Sequence, residues 1–258
     1  MRKALGAYTA LLLAALYLPI GALVAFSFNE SRHPTAWTGF TLEWYRKAFG
    51  DARLLGELGN TLTLAAASTA LSTVLGTLAA LAARASFRGK KLYATLVTLP
   101  VLVPDIVLAI ALLSLFRALG VPLSLGTAVI GHATFNLAYV ALVVSARLEG
   151  LDRSVELAAQ DLGATPWRAF WKVTFPAVAP GILSGAILAF TLSFDDFVVT
   201  YFTTGPGGAT LPVRIYSMVR FGVTPEMNAV AAAILAVSFA LIALALRISR
   251  VPAAGVGR

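Results

Sequence analysis

Twenty-six consecutive residues, Ala4 to Asn29, carry no charged side chain. A run of that length constrains the chain more than any other feature, because about 30 Å of hydrocarbon is crossed by about 20 apolar residues rising 1.5 Å each. Five further stretches follow: Leu58 to Ala83, Leu92 to Phe116 interrupted by Asp105, Ala118 to Ala146, Val173 to Phe202 interrupted by Asp195 and Asp196, and Met227 to Leu246. In lipid every backbone polar group needs an internal partner, so each stretch is expected to be a helix. The expected fold is all-α: a polytopic membrane protein with six transmembrane helices, forming one transmembrane domain over 1–258 with the lipid bilayer around it.

Composition closes the other routes. The chain is 59% hydrophobic and 12% charged, against roughly 45–50% and 25% in soluble domains, which excludes a soluble globule. The absence of Cys excludes disulfides, thiolate nucleophiles and Cys-ligated metals, and His33 and His132 are too isolated to form a metal-ligand cluster. The net charge of +8 does not point to nucleic acid, since the basic residues stand in ones and twos at the ends of apolar runs. That placement is a topology signal. Thirteen of the twenty basic residues, from Arg2 and Lys3 through Arg84, Arg88, Lys90, Lys91, Arg147, Arg153, Arg168, Lys172, Arg247 and Arg250 to Arg258, fall on one side of a six-span arrangement. The other seven are Arg32, Arg46, Lys47, Arg53, Arg117, Arg214 and Arg220. The richer side is expected to be cytoplasmic and to hold both termini.

Met1-Arg2-Lys3 begins like a secretory signal, but the apolar run exceeds the usual 7–15 residues, so it reads as an uncleaved first helix. Trp37, Trp44 and Tyr45 in the first outer connection fit a surface-lying helix. No internal repeat is visible, which counts against transporters built from inverted repeats.

The long inner connection carries the most specific signal. Ser154 to Gly181 reads as two short helices and a turn. Ser154 can cap the first, Leu157, Ala158 and Ala159 give it a small apolar face, and Gly163 supplies the left-handed residue that ends it. Thr165 caps a second helix with Pro166 at its first position, running through Trp167 and Phe170 toward Pro176. The plain alternative is a solvated amphipathic loop.

This segment resembles the motif of ATP-binding-cassette importer permeases, EAA, three residues, G, nine residues, I, any residue, LP. Here Ala158 and Ala159 are followed by Gly163 and then by Val173, Thr174, Phe175 and Pro176. The family's Glu position is Leu157 and the acid, Glu156, lies one residue earlier, a rotation of about 100° around a helix. The segments Tyr17 to Asn29, Leu99 to Leu113, Leu188 to Pro206 and Ile215 to Ala229 are similar to the C-type permease subunits of spermidine/putrescine importers. The resemblance implies a type I importer in a bacterial inner membrane, with a second permease subunit, two ATPase subunits and an external substrate-binding protein. It also implies that the knob is the coupling helix docking on an ATPase, placing Glu156, Leu157, Ala158, Ala159, Asp161 and Gly163 at that contact. No cofactor is expected on this chain: it has no GxxxxGK[ST] loop, and ATP and Mg would be held by the partner ATPases.

Three carboxylates lie within spans, where each costs about 2.5–3.5 kcal/mol on insertion scales and normally faces protein or water. Asp105 stands about 21 Å along a helix from Lys91, and Asp195 about 22 Å from Pro180, so they fall at similar depth. Ser193, Asp196, Thr200 and Thr203 form one helical stripe on the fifth span; His132, Asn136 and Tyr139 form another on the fourth. Asp105, after Pro100 and Pro104, has the alternative of satisfying backbone donors at a kink. Asp195 and Asp196 differ by about 100°, so one at most points squarely into a pathway. The fourth-span stripe reads either as a packing face or as a binding site. A pathway holding acids and no deep basic residue attracts polycations and repels anions, and Phe194, Phe197 and Tyr201 add faces for ammonium groups. The candidate pathway residues are Asp105, Asp195, Asp196, Phe194, Thr200 and Tyr201, and the resemblance gives the cargo as a polyamine or another small organic cation. An ion-coupled secondary transporter using the same acids is the rival reading. An intramembrane hydrolase would need Ser114 and His132 without any supporting GxS context. No catalytic residue and no metal site is expected.

Overall fold

A computed structural model describes residues 2–31, 36–220 and 224–249. Arg32, His33, Arg250 and Arg258, counted above, lie outside the described residues. Twelve helices occur among them: α1 Arg2–Phe26, α2 Glu43–Gly50, α3 Ala52–Arg84, α4 Lys90–Leu102, α5 Asp105–Ala118, α6 Leu125–Glu149, α7 Arg153–Asp161, α8 Pro166–Ala169, α9 Phe175–Phe194, α10 Val198–Thr203, α11 Leu211–Val219 and α12 Pro225–Ser249. Five spans are long and apolar enough to cross a membrane, or six when α4 and α5 are taken as one bent span.

The third and fifth spans depart from the expected single helices. The α4–α5 pair bends by 107°, not the continuous run Leu92 to Phe116. Val103 and Pro104 are extended, with ψ 130° and 136°; a proline lacks the N–H that would continue the ladder and pushes the residue before it out of helical space. The fifth span breaks at Asp195-Asp196-Phe197, so Val173 to Phe202 is α9 followed by α10. The fourth span starts later than Ala118, at Leu125. Gly120 takes φ +66° after α5, and Ser124 and Thr127 form a reciprocal capping box that satisfies donors on both sides of the helix start.

The chain divides into two compact units, 1–58 with 211–237, and 59–210 with 238–258. In the first, Asn29 organises the turn after α1: its side chain donates to Ala36 O (2.8 Å) and accepts from Thr38 N (2.9 Å), while its carbonyl accepts from Trp44 Nε1 at 2.7 Å. Phe28 stacks on Phe40 at 5.4 Å and lies 5.1 Å from Tyr45. The aromatic helix expected in the first connection is α2, in which Trp44 is buried. Ala48, Leu54, Leu211 and Val230 form this unit's apolar cluster. Glu57 is buried and faces Arg53 (3.4 Å) and Arg214 (3.7 Å), whose charges offset part of its desolvation.

In the second unit α6 is the hub, antiparallel to α9 and α10. Its C-terminal half packs through Val140, Val144 and Leu148 onto Ala80, Val178 and Ala189. Glycines let these helices approach: a Cβ on Gly76 would fall 2.7 Å from Val140 Cβ, and one on Gly185 would sit 3.5 Å from Val140 Cα. Small residues at such crossings allow close van der Waals packing, which lipid-embedded helices depend on. A second cluster, Ala109, Leu112, Phe116, Phe135 and Val199, joins α5, α6 and α10.

Candidate functional site

The two polar stripes face each other. Along the N-terminal half of α6, Thr127 Oγ1 donates to Thr203 O (2.7 Å), His132 Nε2 lies 2.9 Å from Thr200 Oγ1 and 3.3 Å from Asp196 Oδ2, and Asn136 Nδ2 donates to Ser193 Oγ at 2.7 Å. Ser193 reaches on to Ser68 Oγ of α3 at 3.0 Å. His132, Asn136, Thr200, Thr203 and Ser68 are fully buried, and Ser193 nearly so. The fourth-span stripe is a packing face within this chain, with the fifth-span stripe as its counterpart.

The adjacent acids are divided between inside and outside. Asp196 caps α10: its Oδ2 accepts from Thr200 N (2.9 Å) and Thr200 Oγ1 (3.0 Å), and Oδ1 from Val199 N at 3.4 Å. A carboxylate at a helix N-terminus satisfies orphan donors and complements the dipole. Its side chain is only 11% exposed. Asp195, the C-cap residue of α9, is exposed. Phe197, the residue before α10, and Tyr201, one turn further on, have ring centroids 5.3 Å apart, and Tyr201 is half exposed. Phe194 is buried and stacks on Phe190 at 6.0 Å. Asp105 is exposed in the first turn of α5, one turn before the buried Ala109 on the face that packs toward Val199 of α10. Of the six predicted pathway residues, the structure therefore joins Asp196 with Thr200, buries Phe194, and leaves Asp195, Tyr201 and Asp105 accessible.

The inner connection forms the expected knob, with two corrections. Its N-cap is Asp152, not Ser154: the helix starts two residues earlier, and Asp152 Oδ1 accepts from Ser154 N at 2.8 Å. Hydrogen bonding from the Ser154 side chain, and then from its backbone N–H, holds the Asp152 carboxyl below its ordinary value of 3.8. Gly163 takes φ +90°, with Gly163 N bonded to Gln160 O (2.9 Å) and Ala164 N to Ala159 O (3.0 Å), the pair of bonds that closes a helix through a left-handed residue. Thr165 caps α8 through Arg168 N, with Pro166 in its first turn. The second correction follows: α8 does not end near Pro176 but runs through a π-helical turn, Phe170–Thr174, into α9. Pro176 brings no N–H to the ladder, and the wider turn, with Phe175 N on Phe170 O, accommodates that loss.

On α7, Glu156 pairs with Arg84 at the end of α3 (3.3 Å), each about a quarter exposed. Leu157 is 52% and Leu162 90% exposed, and Ala158, Asp161 and Gly163 are also exposed, with Ala159 half-buried. An apolar groove of about 880 Å³ runs between α3 and the knob, with Trp167, Phe170, Trp171 and Phe175 along it. Sequence reasoning missed Ser68 and Arg84. Ser68 was one small polar residue in an apolar run, and Arg84 was counted only as a topology charge.

A family model described as "Binding-protein-dependent transport system inner membrane component" matches residues 72–253. The chain belongs to that family. It is thus an inner-membrane component of a binding-protein-dependent transport system. It is 45% identical over 228 residues (85% of this chain, 81% of the relative) to the putrescine transport system permease protein PotI of Escherichia coli (strain K12). It is 40% identical over 246 residues (95% and 93%) to the spermidine/putrescine transport system permease protein PotC of the same organism. Among solved structures, a bacterial alginate ABC transporter in complex with an alginate-bound periplasmic protein has a chain that aligns with TM-score 0.69 at 18% identity (96% of this chain, 95% of that one). The MetNI methionine ABC transporter in inward-facing form aligns with TM-score 0.66 at 17% identity (78% and 98%). These likenesses establish the fold of ABC-importer permeases.

Proposed function

We propose that this chain is one of two permease subunits of an ATP-driven importer for polyamines, with putrescine and spermidine as the cargo class. The observation that carries the reading is the 45% and 40% identity, over most of both chains, to permeases named for putrescine and spermidine/putrescine transport. The acids add chemical sense: a path lined by carboxylates and aromatic faces attracts a linear polycation, and the weak, multi-site contacts it offers allow release. Asp195, Asp105 and Tyr201, being accessible, meet the cation, while Asp196, Thr200 and Phe194 shape the wall behind them. The whole chain acts as one permease domain with both termini in the cytoplasm.

Energy arrives from two ATPase subunits that hold ATP and Mg. Leu157, Ala158, Ala159, Asp161 and Gly163 form the coupling contact. Glu156 is engaged with Arg84, so a pull on α7 is passed to α3 as well as through α8 into α9. A loaded external protein delivers the cation from the other side. The test is radiolabelled putrescine uptake into proteoliposomes carrying this chain with its sister permease, ATPase and binding protein. Uptake that requires ATP and the binding protein is expected. Uptake by the chain alone on an ion gradient, or a complete complex that moves no polyamine, would overturn the reading.

A further inference from the structure

We infer that His132 is a positioning residue that decides which of the two adjacent acids faces the cation; this rests on the polyamine reading above. Two consecutive residues at a helix break have no intrinsic preference for which turns inward, since either carboxylate can cap the helix that follows. The choice is made from α6. His132 is fully buried, and its Nε2 lies 2.9 Å from Thr200 Oγ1 and 3.3 Å from Asp196 Oδ2. Thr200 Oγ1 in turn donates to Asp196 Oδ2 at 3.0 Å. With the threonine hydroxyl donating to the carboxylate, its oxygen accepts from the ring, which assigns the proton to Nε2. The other ring nitrogen agrees: Nδ1 is buried with no hydrogen-bond partner, and a bare lone pair there costs less than an unpaired N–H. Both polar contacts of the ring thus go to the Thr200–Asp196 cap, and Phe135, 5.3 Å from it centroid to centroid, packs beside the ring.

The consequence is directional. With Asp196 held against α6, Asp195 is turned to the exposed side together with Tyr201. Removing the imidazole leaves a buried carboxylate with one donor fewer beside an empty space, and the break is then free to exchange the two acids.

Two measurements test this, one by transport and one independent of it. In the reconstituted complex, His132→Ala is expected to raise the KM for putrescine about tenfold, the size of one lost hydrogen bond to a charged group, with kcat per assembled complex changed far less. His132→Gln, which restores an N–H donor, is expected to recover most of that KM. Because the chain has no cysteine, single thiols report accessibility directly. Thr200→Cys is expected to resist a cationic thiosulfonate when His132 is present and to react at least about tenfold faster in His132→Ala, whereas Tyr201→Cys reacts alike in both backgrounds. Unchanged protection of Thr200→Cys in His132→Ala, or an unchanged KM with only less complex recovered, would overturn the inference. If the wild-type complex moves no polyamine, the functional reading fails while the thiol result still judges the role of His132.

Discussion

The two halves of α6 hold their neighbours by different means. The C-terminal half offers Val140, Val144 and Leu148 to α3 and α9 across glycines, with Gly76 and Gly185 on either side of Val140. The N-terminal half offers Thr127, His132 and Asn136, each bonded to a polar atom of α9, α10 or the break between them. Lipid supplies little hydrophobic drive between helices, so close contact comes from small residues and angular position from hydrogen bonds. An apolar crossing tells two helices how near to lie; a hydrogen-bonded one also fixes rotation. The fifth span is continuous where it meets the apolar half and broken where it meets the polar half, and its paired acids stand at that break.

The sharpest way to break this comparison is on the apolar side. Gly76→Leu places a Cβ 2.7 Å from Val140 Cβ and 2.8 Å from Leu137 O, which no rotamer change relieves. Overpacking costs about 1–3 kcal/mol or more, and we expect little assembled complex by size-exclusion yield. Gly185→Ala, whose Cβ meets ordinary contacts at 3.5 Å, is the control and is expected to assemble as wild type. The next effect is at the end of the knob that follows this half. Gly163→Pro cannot take φ +90° and removes the N–H bonded to Gln160 O, so ATP-driven uptake should be lost while docking of the external protein persists. Gly163→Ala pays only the left-handed penalty of about 1–2 kcal/mol and should retain partial uptake.

On the polar side the expected losses are smaller. Asn136→Leu removes the bond to Ser193, and interhelical hydrogen bonds in membranes average about 0.6 kcal/mol with a maximum near 1.7. Its melting temperature should fall less than that of Gly76→Leu, and an equal fall would erase the distinction between the halves. Smaller still is Arg84→Ala, which breaks a pair about a quarter exposed on each side and worth about 0–1 kcal/mol. It should weaken coupling mainly at low salt, read as ATPase stimulation against ionic strength. Last, Asp152 has its carboxyl held low by Ser154. Its contribution to the start of α7 is therefore complete above the ordinary value of 3.8 and is lost as pH falls through the lowered one. Protection of the α7 amides, corrected for the intrinsic pH dependence of exchange, should be flat from neutral pH down and fall only in strong acid.

Much of this was legible in the residues. The apolar runs gave the helices, and the spacing of Ser193, Asp196, Thr200 and Thr203 gave the face that α9 and α10 turn inward. Gly163, Thr165 and Pro166 gave the knob's punctuation, because a left-handed residue and a cap are local events. What stayed hidden depended on partners. Periodicity names a face but not what meets it, so His132 and Thr200 could be placed on stripes and not against each other. The breaks were hidden for a related reason. Pro100 stays inside α4 while Pro104 ends it, so a proline permits a break without requiring one. Asp195-Asp196 reads as an interruption in a helix until a buried imidazole holds one of them. Ser154 and Asp152 are both competent caps, and only the helix start decides between them.

The most direct test is a structure of the assembled complex with putrescine bound in the permease. The account predicts an ammonium within about 4 Å of an Asp195 carboxylate oxygen, ion-pair distance, beside the Tyr201 ring, with Asp196 still closed on Thr200 and His132. An ammonium paired with Asp196 and an Asp195 turned away from the cation would contradict it.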